Sequence, residues 1–106
     1  MTMKTKKQNK LENAGWKPGS AEEFLDLTPG ESAMVGIRLA LSQKLKGRRL
    51  QLGFPQVELA RRLGSSQSRV AKMEAAAPGI SVDLLVRGIL ATGANPKEVG
   101  AAVATA

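Results

Sequence analysis

The sequence predicts an all-α protein of five helices joined by short loops around one hydrophobic core. A chain of 106 residues supplies one core rather than two. Its apolar mass is Ala, Leu, Val and Ile, with only Trp16, Phe24 and Phe54 as aromatics, a composition suited to small, closely packed helices. Helix start and stop signals recur along it, while strand signals are weak throughout.

Residues 1–15 are rich in Lys, Gln and Asn and nearly devoid of apolar side chains, so they are expected to form a flexible basic tail. Residues 16–106 are expected to form the single domain. In residues 16–27, Trp16, Phe24, Leu25 and Leu27 give a short apolar pattern, and Ser20 and Glu23 have capping-box spacing for a brief helix packed on the domain. Thr28, Pro29 and Glu31 then read as N-cap, first-turn proline and first-turn acid of a long helix reaching about Leu52. Met34, Ile37, Leu41 and Leu45 form its apolar stripe, Gly47 is its weak point, and Gly53 stops it. Pro55 opens a second helix ending at Gly64, and Ser66 caps a third running to about Ala75. Pro78 and Gly79 break the chain; Ser81 caps a fourth helix to about Thr92, and Asn95 with Pro96 starts a short fifth.

There is no Cys and no His, which removes disulfides, thiolate nucleophiles, imidazole bases and the commonest zinc ligands. Ser65, Ser66 and Ser68 have no evident base and suit capping or groove contact better than nucleophilic catalysis. The expectation is therefore a non-enzyme without metal or cofactor. No stretch is long and apolar enough for a signal peptide or a membrane span, so a cytoplasmic location without a membrane partner is expected.

The formal charge of +7 is clustered. Residues 44–72 hold eight basic side chains (Lys44, Lys46, Arg48, Arg49, Arg61, Arg62, Arg69 and Lys72) against one acid, Glu58. Residues 1–17 hold five lysines against Glu12. A clustered basic surface draws polyanions through counterion release, which makes nucleic acid the leading partner class.

The segment that carries function is residues 56–75. Leu59, Leu63, Val70 and Met73 are spaced to pack two short helices on a shared core, with the small Ala60 where they approach most closely. Gly64 supplies the left-handed turn between them. At 100° per residue, Val70, Met73 and Glu74 fall on the inward side of the later helix, and Ser68, Ala71 and Lys72 fall opposite, flanked by Gln67 and Arg69. A polar, basic face with a small residue at its centre fits the major groove, where Gln bonds adenine bidentately and Lys or Arg bonds guanine or phosphate. An ordinary helical hairpin with a solvated charged face is the alternative.

Residues 48–75 resemble the helix-turn-helix of the lambda-type phage repressors and the wider XRE family through Arg49, Gln56, Leu59-Ala60, Gly64, Gln67-Ser68, Val70 and Glu74. The resemblance implies a lambda-repressor-like domain binding double-stranded operator DNA. In it Gln67, Ser68 and Lys72 face bases, Gln56 contacts phosphate, Ser66 and Arg69 lie nearby on backbone or base edges, and Arg49 pairs with Glu74. Two departures stand out: Pro55 occupies a cap where Ser, Thr or Asn is usual, and residues 75–80 hold no basic side chain. Backbone affinity is then expected to lean on Lys44, Lys46, Arg48, Arg61, Arg62 or the tail. One helix reads few bases, so a homodimer on a palindrome is expected, with half-sites about 34 Å apart and Val99, Ala102 and Val103 as candidate contacts.

A broader resemblance, over residues 16–94, is to HigA-like antitoxins, through Trp16, residues 21–27, the long helix, residues 66–74 and Ser81-Val82-Asp83-Leu84-Leu85. It implies a bacterial or phage-encoded repressor that regulates its own operon and neutralises a RelE-like ribonuclease toxin. Its toxin surface is expected in residues 16–37, which are apolar and acidic. The alternatives are a stand-alone prophage or host regulator, and a helix-turn-helix used only as a protein-interaction adaptor.

Overall fold

Thr28 and Glu31 close a reciprocal capping box: the Glu31 N–H donates to Thr28 Oγ1 (3.0 Å) and the Thr28 N–H donates to Glu31 Oε1 (2.9 Å). This box starts α1, Pro29–Leu52. The computed structural model describes residues 28–106, so the expected tail and the brief helix of residues 16–27 lie outside the described residues. Four helices follow α1: α2, Gln56–Leu63; α3, Gln67–Glu74; α4, Val82–Ala91; and α5, Pro96–Ala104. The described residues are thus all-helical, with the five helices read from the sequence. None of these helices is long and apolar enough to cross a membrane.

Side-chain caps fix three starts. Ser66 accepts from the Arg69 N–H, Ser81 from the Leu84 N–H and Asn95 from the Glu98 N–H. Pro55 caps α2 with its extended backbone alone and makes no side-chain cap bond. The helix ends are equally determined. At the end of α2, Gly64 sits at φ 66°, the Ser65 N–H reaches the Ala60 carbonyl and the Gly64 N–H reaches the Arg61 carbonyl. The end of α3 repeats this wrap with Ala76 at φ 53°, where a side chain is strained and glycine would be at ease.

The core lies in the compact unit Gly36–Ala106. Leu41 and Leu45 of α1, Leu59 and Ala60 of α2, Val70 and Met73 of α3, and Leu85 and Ile89 of α4 are buried, and Ile80 and Ala94 close the loops over them. Ile37, Leu63, Val99 and Ala102 are partly buried against this cluster. Met34, expected in the apolar stripe of α1, is instead exposed; it precedes this unit, and the buried stripe is completed by Ser42 and Arg49. Gly88 marks the closest helix approach, since a Cβ there would lie 2.8 Å from Met73 Cε and 3.1 Å from Leu45 Cδ1. Its requirement is for space rather than backbone freedom.

Candidate nucleic-acid interface

The packing of α2 on α3 and α4 decides which side chains of α3 remain outside. Val70 and Met73 are fully buried, while Gln67, Ser68, Arg69 and Lys72 are exposed around a half-buried Ala71. The short side chain of Ala71 leaves the middle of that face low, so a groove wall can approach between Gln67 and Lys72. An open groove of about 360 Å³ runs beside α3, lined by Ser66, Ser68, Arg69 and Lys72 on one side and Pro78, Gly79 and Ile80 on the other.

Arg49 fixes α3 from within. Its Nε donates to Glu74 Oε2 at 2.6 Å and its Nη2 to Glu74 Oε1 at 2.9 Å, so the pairing expected between these residues is present as a bidentate fork. Nη1 donates to the Phe54 carbonyl at 2.8 Å. The side chains are 10% and 4% exposed, which makes this pair the buried electrostatic joint between α1 and the end of α3. Burial pushes the Glu74 carboxyl up, but hydrogen bonds from Arg49 and Gln56 and the charges of Arg49 and Lys46 outweigh it and hold the group below its ordinary range. The Glu74 bond raises the Arg49 guanidinium in turn, against the opposing effect of burial.

Gln56 stands between this joint and α3. Its Nε2 donates to Glu74 Oε1 at 3.1 Å, and its Oε1 accepts from Gln67 Nε2 at 2.8 Å. The residue expected on a phosphate is therefore tied to the residue expected on a base. Ser66, whose oxygen accepts from its own helix, keeps its hydroxyl hydrogen for another acceptor.

The cations divide into free and engaged. Lys44, Lys46, Arg69 and Lys72 make no ion pair within 4.0 Å among the described residues. Arg61 forks onto Glu58 and Arg62 adds a single bond, with Arg61 Nη2 at 2.6 Å and Arg62 Nε at 2.9 Å from Oε2. The three side chains together carry +1, and Arg62 also stacks over the Phe54 ring, 4.3 Å from its centroid. The Arg61 and Arg62 bonds hold the Glu58 carboxyl below its ordinary range. Glu58 is absent from the site expected on sequence grounds, although an acid three and four positions before two arginines announces such a clamp on a helix.

Arg48, expected on a phosphate, is engaged within the fold. Its Nε donates to Thr92 Oγ1 at 3.1 Å and its Nη2 to the Thr92 carbonyl at 3.0 Å, with Glu98 at 3.7 Å from Nη1. It braces the end of α4 against α1, and only 18% of its side chain is exposed. The guanidinium satisfies a carbonyl at a helix end, a demand that the basic run 44–49 did not advertise. The candidate dimer residues also separate: Val99 and Ala102 pack on their own core, while Val103 is exposed.

Comparison with known families matches residues 45–87 to the family described as Helix-turn-helix. This range covers the end of α1, all of α2 and α3, and the first half of α4. The matched segment is a helix-turn-helix of the kind that binds DNA in transcription regulators. No solved structure matches the chain.

Proposed function

We propose that this protein is a sequence-specific transcriptional repressor that sets α3 into the major groove of operator DNA. The observation that carries this reading is the outward face of α3, where exposed Gln67, Ser68, Arg69 and Lys72 surround Ala71 and the inward residues are fixed by the core and the Arg49–Glu74 pair. Gln67, Ser68 and Lys72 contact base edges in this arrangement, and Arg69 takes a base edge or the backbone beside them. Gln56, Ser66, Lys44 and Lys46 serve the phosphates, while Arg61 and Arg62 contribute only what Glu58 leaves them. A two-fold dimer on a palindrome supplies the second half-site.

The test is selection from a randomised duplex library, followed by titration of the selected duplex and a scrambled one across salt. Gln67→Ala should weaken the selected duplex by about 1–3 kcal/mol and the scrambled one little. Equal losses on both duplexes would leave an electrostatic binder without base reading, and no binding at all would favour the adaptor reading.

The resemblance over residues 16–94 supports a narrower role as the antitoxin of a toxin–antitoxin pair, neutralising a RelE-like toxin. Residues 16–27, where most of the expected toxin surface falls, lie outside the described residues. Co-purification of a small basic ribonuclease with the full chain, lost on deletion of residues 1–27, is the result expected of the antitoxin. A chain that binds its operator and captures no such partner is the stand-alone regulator.

A further inference from the structure

The loop that leaves α3 is made of residues that cannot hold it in place. Residues 75–80 read Ala, Ala, Ala, Pro, Gly and Ile, so no side chain of the loop can donate or accept a hydrogen bond. Ala76 stands at φ 53°, a left-handed conformation that an L side chain disfavours. The anchor comes from α1. Arg38 Nη2 donates to the Ala77 carbonyl at 3.3 Å, and the same carbonyl accepts from the Ile80 N–H at 3.3 Å. Arg38 precedes the segment matched to the helix-turn-helix family, so the clamp is supplied from outside that segment.

Beyond Ala77 the chain forms one wall of the groove beside α3. Pro78, Gly79 and Ile80 face Ser66, Ser68, Arg69 and Lys72 across about 360 Å³. The α3 wall offers cations and hydroxyls, whereas the loop wall offers only main chain and apolar surface. Pro78 has no N–H, the Ile80 N–H is spent on Ala77, and the Gly79 N–H meets no acceptor among the described residues. A main-chain N–H serves a phosphate only where the backbone is held at the right distance. We propose that Arg38 is a positioning residue for DNA backbone binding: by clamping the Ala77 carbonyl it holds the strained loop so that the Gly79 N–H meets a phosphate of the strand seated in this groove. This inference rests on the reading of α3 as the helix that enters the DNA groove. The guanidinium acts through the loop and not on the DNA. A neutral amide cancels no phosphate charge, so the contact adds affinity without adding to the salt slope.

The test titrates the full chain on the duplex selected from a randomised library, at several salt concentrations. Wild type, Arg38→Met, Ala76→Gly and the double variant of both changes are compared, each melted in parallel and assayed well below its midpoint. Arg38→Met should weaken the complex about tenfold while the salt slope and the base preferences stay those of wild type. Ala76→Gly should bind as wild type does. The double variant should recover most of the affinity, because glycine adopts the left-handed turn without a clamp. Should Arg38→Met fail to fold, the double variant decides: near-wild-type affinity supports the clamp, and a tenfold loss overturns it. Arg38→Met with a lowered midpoint and wild-type affinity overturns the proposal, leaving Arg38 a residue of the fold alone. A salt slope smaller by about 0.9 for each arginine removed overturns it too, since Arg38 would then itself meet a phosphate. A wild type that enriches no duplex overturns the reading of α3, and this inference with it.

Discussion

Glu74→Ala isolates the joint on which the orientation of α3 depends. The substitution strands the Arg49 guanidinium, whose side chain is only 10% exposed: Nε and Nη2 both lose their acceptor, and Nη1 alone keeps the Phe54 carbonyl. Breaking one member of a buried pair costs about 3–5 kcal/mol. An acid at the C-terminal end of a helix opposes the helix dipole, so its removal returns about 0.3–1 kcal/mol. The net loss is then about 2–5 kcal/mol, which for a domain of this size lowers the melting midpoint by roughly 10–40 °C. Thermal denaturation at neutral pH, followed by helical circular dichroism, reads it directly. The double replacement Arg49→Met with Glu74→Leu should recover most of the loss, because an apolar pair leaves no charge stranded. A midpoint within about 3 °C of wild type for Glu74→Ala would show that the pair carries no net stability and that packing alone orients α3.

Acid should act on the same joint: the Glu74 carboxyl is depressed in the folded chain, so its contribution is complete above the ordinary value of 4.5 and disappears as pH falls through the lower folded value. Melting midpoints of wild type should therefore converge on those of Glu74→Gln only below that value, and convergence already at about pH 6 would contradict the assignment. Glu58→Gln should release Arg61 and Arg62, raising affinity for scrambled duplex and steepening its salt dependence, measured by titration at several salt concentrations. Arg48→Ala should destabilise the fold by about 1–3 kcal/mol through the lost Thr92 bonds while leaving the salt slope unchanged. Gly88→Ala should cost about 1–3 kcal/mol in the melt, because Met73 and Leu45 must both move to admit the methyl group.

Much of this architecture is legible in the sequence because helix ends are local events. Thr28, Ser66, Ser81 and Asn95 each cap a helix through a bond to a residue three positions on, and Gly53 and Gly64 each take the left-handed turn that ends one. Ala76 is not legible as a helix stop, since it occupies a left-handed position with a residue that disfavours it; α3 ends there through Lys72 and Met73 carbonyls rather than through residue choice. Gly88 carries no signal either, because its role is a clearance against side chains 15 and 43 positions away in sequence. The pairing of Arg49 with Glu74 comes from resemblance, and the link onward to Gln56 and Gln67 is invisible in the sequence, being fixed by side-chain geometry across two helices.

Charge shows the same division between what a string of residues announces and what a fold does with it. The eight basic residues of the 44–72 segment read as one polyanion-binding block. Folding assigns Arg48 to the end of α4 and Arg49 to Glu74, and it places Arg61 and Arg62 under the single charge of Glu58. Lys44, Lys46, Arg69 and Lys72 remain without an ion-pair partner among the described residues. If those four and the net +1 of the Glu58 cluster are what meets the phosphates, a protomer presents about five effective charges rather than eight. Counterion release then gives a salt slope of roughly −4 to −5 per protomer instead of about −7. Long-range attraction is correspondingly modest, and on the proposed reading of α3 discrimination falls more heavily on the hydrogen bonds of Gln67, Ser68 and Lys72.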